Sequence, residues 1–315
     1  MLNTRALFDG TTDGARRFWQ GVGAGLVCTL IWGGQAVVMR LSVVDGLTAV
    51  DVTVLRFVVA GSLLLPWALR ERPFPVGLLG WRRGLVLAML VGAPYSLVVV
   101  GGVAFAPALH STVVTFGVIP IATTTFAYHA FGERPGLGQV TYLGLILSGL
   151  ALFGWESLIS GPAHAWQGYL LFVVAATMWA AFTTLSKLWR VDPLRATAVV
   201  AVLSLGIVPV GLVFPMQLTH VRIGSIAIQA GYLGVLATVL STYLYTRTIT
   251  LLGSVRASVI VALVPVATGL ASPAVLGEWP TSAEIAGMVV VIVGVVLLVR
   301  HKPPSPATRC GEPMP

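Results

Sequence analysis

Few side chains in this sequence can do chemistry, and most of them interrupt long apolar runs. Trp32, Gln35, Tyr95, Trp179 and Tyr243 lie well inside such runs. An amide there cannot face hydrocarbon cheaply, so Gln35 points to a protein interior or a cavity. The aromatic groups suit a binding wall, although packing or a lipid-facing role is open to each. Arg56 lies about two helical turns beyond Asp51. A guanidinium at that depth faces the interior, a watery vestibule or a carboxylate. It either pairs with Asp51 or Glu156, or captures a substrate carboxylate or phosphate. Glu133 and Glu278 invite proton coupling, since a carboxylate in a membrane is expensive. Both sit at helix ends, where an interfacial residue that stabilises the turn before Pro135 or Pro280 is the plainer reading. His110 and His129 bracket one run, and a lone interfacial histidine is more often simply solvated.

Other chemistries are missing. The histidines at 110, 129, 164, 220 and 301 have no metal-ligand spacing, and there is no H-E-x-x-H, C-x-x-C or G-x-S-x-G. Cys28 and Cys310 make no disulfide framework. No metal, cofactor or catalytic residue is called for.

The elements that must position these groups are membrane helices. The chain has 315 residues, 57% hydrophobic and 10% charged, whereas soluble domains carry roughly 25% charged residues. That excludes a soluble enzyme, a nucleic-acid-binding domain and a disordered regulator. Ten runs reach the roughly 20 residues needed to span a bilayer: 19–41, 50–69, 84–104, 107–130, 136–156, 166–188, 196–216, 227–247, 252–275 and 281–300. The first is too long for a signal-peptide core and has no A-x-A-like site, so it reads as an uncleaved helix. With the N-terminus inside, every Lys and Arg except Arg40, Arg56 and Arg222 falls on the cytoplasmic side. The net charge of +8 therefore reports orientation, and no nucleic-acid partner is expected. Lysine occurs only at Lys187 and Lys302, an arginine bias that suits a GC-rich bacterial genome. These points predict a multi-pass inner-membrane protein in contact with lipid, both termini cytoplasmic.

The chain also repeats itself. VIPIATTTFAYHAFGERP at 118–135 aligns without a gap with LVPVATGLASPAVLGEWP at 263–280. Pro120 then matches Pro265, Gly132-Glu133 matches Gly277-Glu278, and Pro135 matches Pro280. Spans 4 and 9 correspond, so each repeat is five helices long. An odd repeat re-enters the membrane from the opposite side. The predicted fold class is thus an all-α integral membrane protein of ten transmembrane helices, arranged as two inverted five-helix repeats. Its parts are a cytoplasmic tail 1–18, repeats at 19–156 and 166–300, and a second cytoplasmic tail 301–315. Such folds bind substrate near the midplane and rock one repeat against the other. Pro120 and Pro265 are then candidate hinges, or sites where a carbonyl is freed toward the cavity, and a mere packing kink is the bland alternative. Gly21-x-x-x-Gly25 and Gly144-x-x-x-Ser148 are read as close-packing positions.

Trp32-Gly33, Leu55-Arg56-Phe57, Gly132-Glu133-Arg134-Pro135 and Gly277-Glu278-Trp279-Pro280, in this order and spacing, resemble the drug/metabolite transporter superfamily, and within it the EamA branch. The likeness runs over roughly residues 20–300. It implies an inner-membrane exporter of amino acids, metabolites or toxic compounds. The second repeat departs from it, with Ala201 where Arg56 would recur. The expectation is an alternating-access carrier of a small organic solute, an amino acid or related metabolite, moved outward. Trp32, Gln35, Arg56, Tyr95, Trp179 and Tyr243 are its substrate-binding candidates, and homodimerisation is left open. The rivals are a membrane-embedded enzyme, for which no intramembrane ionisable pair is evident, and a receptor or scaffold without solute flux.

Overall fold

The computed structural model describes residues 12–71, 79–103, 105–106, 108–132, 135–159, 165–213, 216–218, 221–276, 279 and 281–300. Glu133, Glu278, Pro280 and the C-terminal tail lie outside them. Among the described residues there are helices and turns and no strand.

The helices are α1 (Thr12–Val44), α2 (Ala49–Arg70), α3 (Gly80–Val91), α4 (Ala93–Val103), α5 (Ala108–Phe131), α6 (Leu137–Ile159), α7 (Ala165–Leu188), α8 (Pro193–Leu203), α9 (Val208–Val213), α10 (Ile223–Gln229), α11 (Ser241–Leu252), α12 (Ser254–Ile260), α13 (Val264–Leu276) and α14 (Ser282–Arg300). Short 3₁₀ turns join α8 to α9 and α12 to α13, and a π-helical stretch, Ala230–Leu240, joins α10 to α11.

Local chemistry sets the ends. Thr48 and Asp51 form a reciprocal capping box on α2, and Asp192 caps α8 with Pro193 in its first turn. Gly253, at φ +88°, supplies the left-handed turn between α11 and α12. Pro94, Pro209 and Pro265 are each the second residue of a helix that restarts after a break, where a missing N–H costs least. The break at Gly92 is held across the bundle, the Ala93 amide donating to Ser204 Oγ at 3.1 Å.

Among the described residues, eight helical segments are long and apolar enough to cross a membrane: Asp13–Met39, Ala49–Arg70, Gly80–Val103, Ser111–Phe131, Ala165–Leu188, Ile223–Leu252, Ser254–Val275 and Ser282–Arg300. Apolar helices at Leu137–Leu152 and Pro193–Ile207 are shorter. Leu137, Val213, Ile223 and Leu270 stand exposed on the outer faces. Water would not tolerate so much bare apolar surface, and lipid does. The protein is a multi-pass membrane protein. Trp19, Trp81, Trp166 and Trp279 are exposed near segment ends, where indoles favour the bilayer interface.

In the interior, α1 packs on α11 and α13, α7 on α4 and α5, α2 on α8 and the π stretch, α3 on α8, and α6 on α14. Backbones come close where glycine allows it. Gly21 and Gly25 pack α1 against Leu252 and Ile260, as their spacing predicts. On α6 the close approach is at Gly149, which meets Gly287 and Val291 of α14, while Gly144 faces open space. The expected Gly144/Ser148 contact is thereby corrected: Gly149 faces roughly 140° of helix rotation away from Gly144.

Gly33 and Gly34 mark the tightest crossing of α1. Thr268 donates to the Gly33 carbonyl at 3.2 Å, and Tyr232 donates to the Ile31 carbonyl at 2.9 Å. A methyl on Gly33 would sit 2.6 Å from the Ala267 Cβ and 3.0 Å from the Thr268 amide nitrogen. Because the second is backbone, α13 itself must shift. Gly33→Ala is expected to lower stability by roughly 1–3 kcal/mol, read as a lower thermal midpoint in detergent. Gly23→Ala, with nothing within 4 Å of its Cβ, should leave that midpoint unchanged.

Candidate functional site

The helices bring five of the six predicted binding residues to one cavity. Trp32, Gln35, Ala36 and Met39 descend one face of α1 at helical spacing. Arg56 enters from α2, Tyr95 and Val99 from α4, and Trp179 from α7. Ser111, Thr112, Thr115 and Phe116 of α5 complete the lining. The cavity measures about 50 Å³, space for on the order of three or four waters. Its wall lies in the C-terminal halves of α1 and of the combined α3–α4 segment and the N-terminal halves of α2 and α5. It is therefore displaced toward the end of the bundle that carries the α1–α2 turn.

Aromatic rings form the other end of the cavity. Trp32 and Trp179 meet edge to face with centroids 4.9 Å apart, and Tyr95 lies 5.1 Å from Trp179. Tyr245 of α11 packs 5.3 Å from Trp32 and 5.5 Å from Trp179, fully buried. The Thr183 hydroxyl donates to the Trp179 carbonyl, so the Tyr245 phenol donates to Thr183, at 2.8 Å. Each such ring pair adds roughly 0.5–1.5 kcal/mol beyond its buried area.

Arg56 is held by the π stretch. Its Nε donates to Thr238 Oγ1 at 2.5 Å and its Nη2 to the Ala237 carbonyl at 3.4 Å. Thr238 donates in turn to Leu233, five residues back, at 2.6 Å. The i−5 step is that of a π turn, which recurs at functional sites. The same Ala237 carbonyl accepts from Trp32 Nε1 at 3.4 Å and from Ser241 Oγ. One loosened helical turn thus anchors both a cationic and an aromatic wall of the cavity.

The expected pairing of Arg56 with Asp51 is corrected. Asp51 is fully buried and accepts from the Thr48 amide at 2.8 Å, the Thr48 hydroxyl at 2.7 Å and the Gln217 amide at 3.1 Å. Capping α2 fully engages that carboxylate at the helix end. The Glu156 side chain lies outside the described residues. Gln35 touches Met39 Sδ at 3.6 Å through its amide nitrogen, and its oxygen is buried without a partner. The Thr115 hydroxyl is likewise buried and unpartnered.

Tyr243 is not brought to the site. It is half-buried and accepts from Arg247 Nη1 at 3.1 Å. Tyr245, two positions and roughly 200° of helix rotation away, takes the inward place. Pro120 is buried within α5 and removes the bond that the Phe116 carbonyl would accept, one turn from the cavity. Its repeat partner Pro265 instead begins α13 after a 3₁₀ turn. Thr115 and Phe116 escaped the sequence reading, although Ser111, Thr112 and Thr115 have the i, i+1, i+4 spacing of one helix face. Nothing local in the sequence marks Thr238 or the π turn. Among the described residues no cluster of His, Cys, Asp and Glu could hold a metal.

The EamA-like transporter family matches residues 19–155 and again 166–300. The chain belongs to the EamA-like transporter family. Its members are membrane transporters of small solutes, so the resemblance seen in the motifs is membership. Among curated proteins none matches the sequence. A solved chain described only as "Crystal structure of protein" superposes with a TM-score of 0.68 at 17% identity, covering 89% of this chain and 98% of its own length. That likeness shows a shared fold.

In this family member, Thr238→Val leaves the Arg56 Nε without its acceptor inside a buried site. The expected loss is roughly 1–3 kcal/mol, seen as a lower unfolding midpoint in detergent. Tyr243→Phe, which removes only a half-exposed contact, should unfold with the parent.

Proposed function

We propose that this EamA-family protein is a secondary carrier that exports a small organic solute, an amino acid or related metabolite, across a bacterial inner membrane by alternating access. The observation that carries the reading is the cavity itself. It combines a buried guanidinium that has no carboxylate partner among the described residues with aromatic faces and two unpartnered buried polar groups. A solute carboxylate suits Arg56, and ring faces suit an apolar or ammonium end.

Helix pairing supports two inverted repeats. Numbered as spans, α1 with α13 is 1 with 9, and α7 with α5 is 6 with 4. Likewise α1 with α11 is 1 with 8, and α7 with α4 is 6 with 3. Exchanging the two five-span halves maps each contact onto the other, as two related repeats require. The ten-span count takes α6, whose 23 residues measure about 34 Å, and the α8–α9 rod as crossings. The fall of most Lys and Arg on one side supports cytoplasmic termini. In that orientation the cavity lies in the outer half of the bundle, and the Trp32–Trp179–Tyr245 cluster closes it from the cytoplasm.

Counterflow in proteoliposomes tests this. A panel of labelled amino acids should yield at least one solute that accumulates against its own trapped pool. Gln35→Ala, Trp32→Phe and Trp179→Phe should each slow that flux several-fold at unchanged membrane expression, while Glu133→Ala and Glu278→Ala should keep the parent's pH dependence. Undiminished flux in all three cavity variants would place the solute elsewhere.

A further inference from the structure

We infer that the carrier is an exchanger that does not return empty, and that the solute on each leg of its cycle bears a carboxylate or a phosphate to neutralise Arg56. The inference rests on the carrier reading above and adds its coupling mode. Arg56 is only 7% exposed, and both of its protein hydrogen-bond partners, Thr238 and the Ala237 carbonyl, are neutral. They engage Nε and one Nη2 hydrogen, which leaves three of the five guanidinium donors to the cavity that Arg56 lines. No Asp or Glu is part of that lining. Its other polar groups are uncharged, and the Thr115 hydroxyl and one end of the Gln35 amide have no protein partner.

While such a cavity is open to one side, water and mobile ions cover the charge. To change sides it must pass through a state closed to both, and the cavity, at about 50 Å³ before any closure, already has room for only a few waters. A guanidinium sealed in there without a counter-charge is strongly penalised. A solute anion bonded through two parallel N–H groups removes the penalty. No protein carboxylate of the lining can do so in the solute's absence, as it would in a carrier whose arginine is neutralised internally. The empty carrier therefore faces the higher barrier, and efflux of one anionic solute waits on entry of another.

The test uses the full-length protein in liposomes loaded with labelled phenylalanine, pyruvate or inorganic phosphate, with the membrane potential clamped at zero. For a solute that is carried, exit into medium holding the same unlabelled solute should be faster than exit into an anion-poor sucrose medium by about tenfold or more. Arg56→Gln should bring the two rates together. Equal rates in the parent overturn the exchange inference and leave the carrier reading standing. A ratio that survives Arg56→Gln shows that another group imposes the coupling, and also overturns it. If folded protein neither binds nor moves any of the three probes, Arg56 is not an anion site, and the cavity reading falls as well.

Discussion

The structure turns on one constraint, a positive charge buried in a bundle of apolar helices. Arg56 stands in the first half of the chain, and its ligands stand in the second, on the π stretch. Within the π turn the Ala237 carbonyl accepts from Arg56, Trp32 and Ser241 together. The turn also sets Thr238 where it donates backward to Leu233 and accepts from the guanidinium. A local departure from helical regularity is thus the price of holding a cation where hydrocarbon would otherwise surround it.

Around that anchor the aromatic packing gives the cavity its shape. Trp179 touches Trp32, Tyr95, Phe182 and Tyr245, so no ring moves without its neighbours. Hydrophobicity does not drive association within a bilayer, and packing complementarity and interhelical hydrogen bonds take its place. The close crossings at Gly33, Gly149 and Gly294, and the Tyr245–Thr183 bond, are of that kind. Cooperative packing of this sort favours discrete states over gradual deformation.

Part of this was legible in the chain. Long apolar runs announced the spans, since only a helix satisfies its own backbone in lipid. Trp32, Gln35, Arg56, Tyr95 and Trp179 stood out because polar or bulky polar-tipped groups are conspicuous in an apolar run. They converge on one cavity for the same reason, each avoiding the lipid face. Tyr243 stood out equally and points elsewhere. Rotation about a helix axis is invisible when nearly every neighbour is apolar, and Tyr245 was indistinguishable from it by composition. Threonines such as Thr115 and Thr238 were overlooked because a hydroxyl that can bond to its own helix is unremarkable in any span. Asp51 looked like a partner for Arg56 by sequence proximity, yet a helix N-terminus offers a carboxylate better geometry than a guanidinium five residues along.

The sequence by itself determined that this is a membrane protein of the EamA kind, that it carries long apolar helical runs, and which residues are too polar to meet lipid. These follow from solvent transfer energies that act on each segment alone. Only the tertiary structure decided which side of each helix faces inward, that Arg56 has no carboxylate partner among the described residues, and that an irregular turn far along the chain holds it. Those depend on contacts between distant segments, and no local free energy encodes them. The scarcity of charge first identified the solvent. In the folded protein it also leaves one cation exposed to whatever enters the cavity.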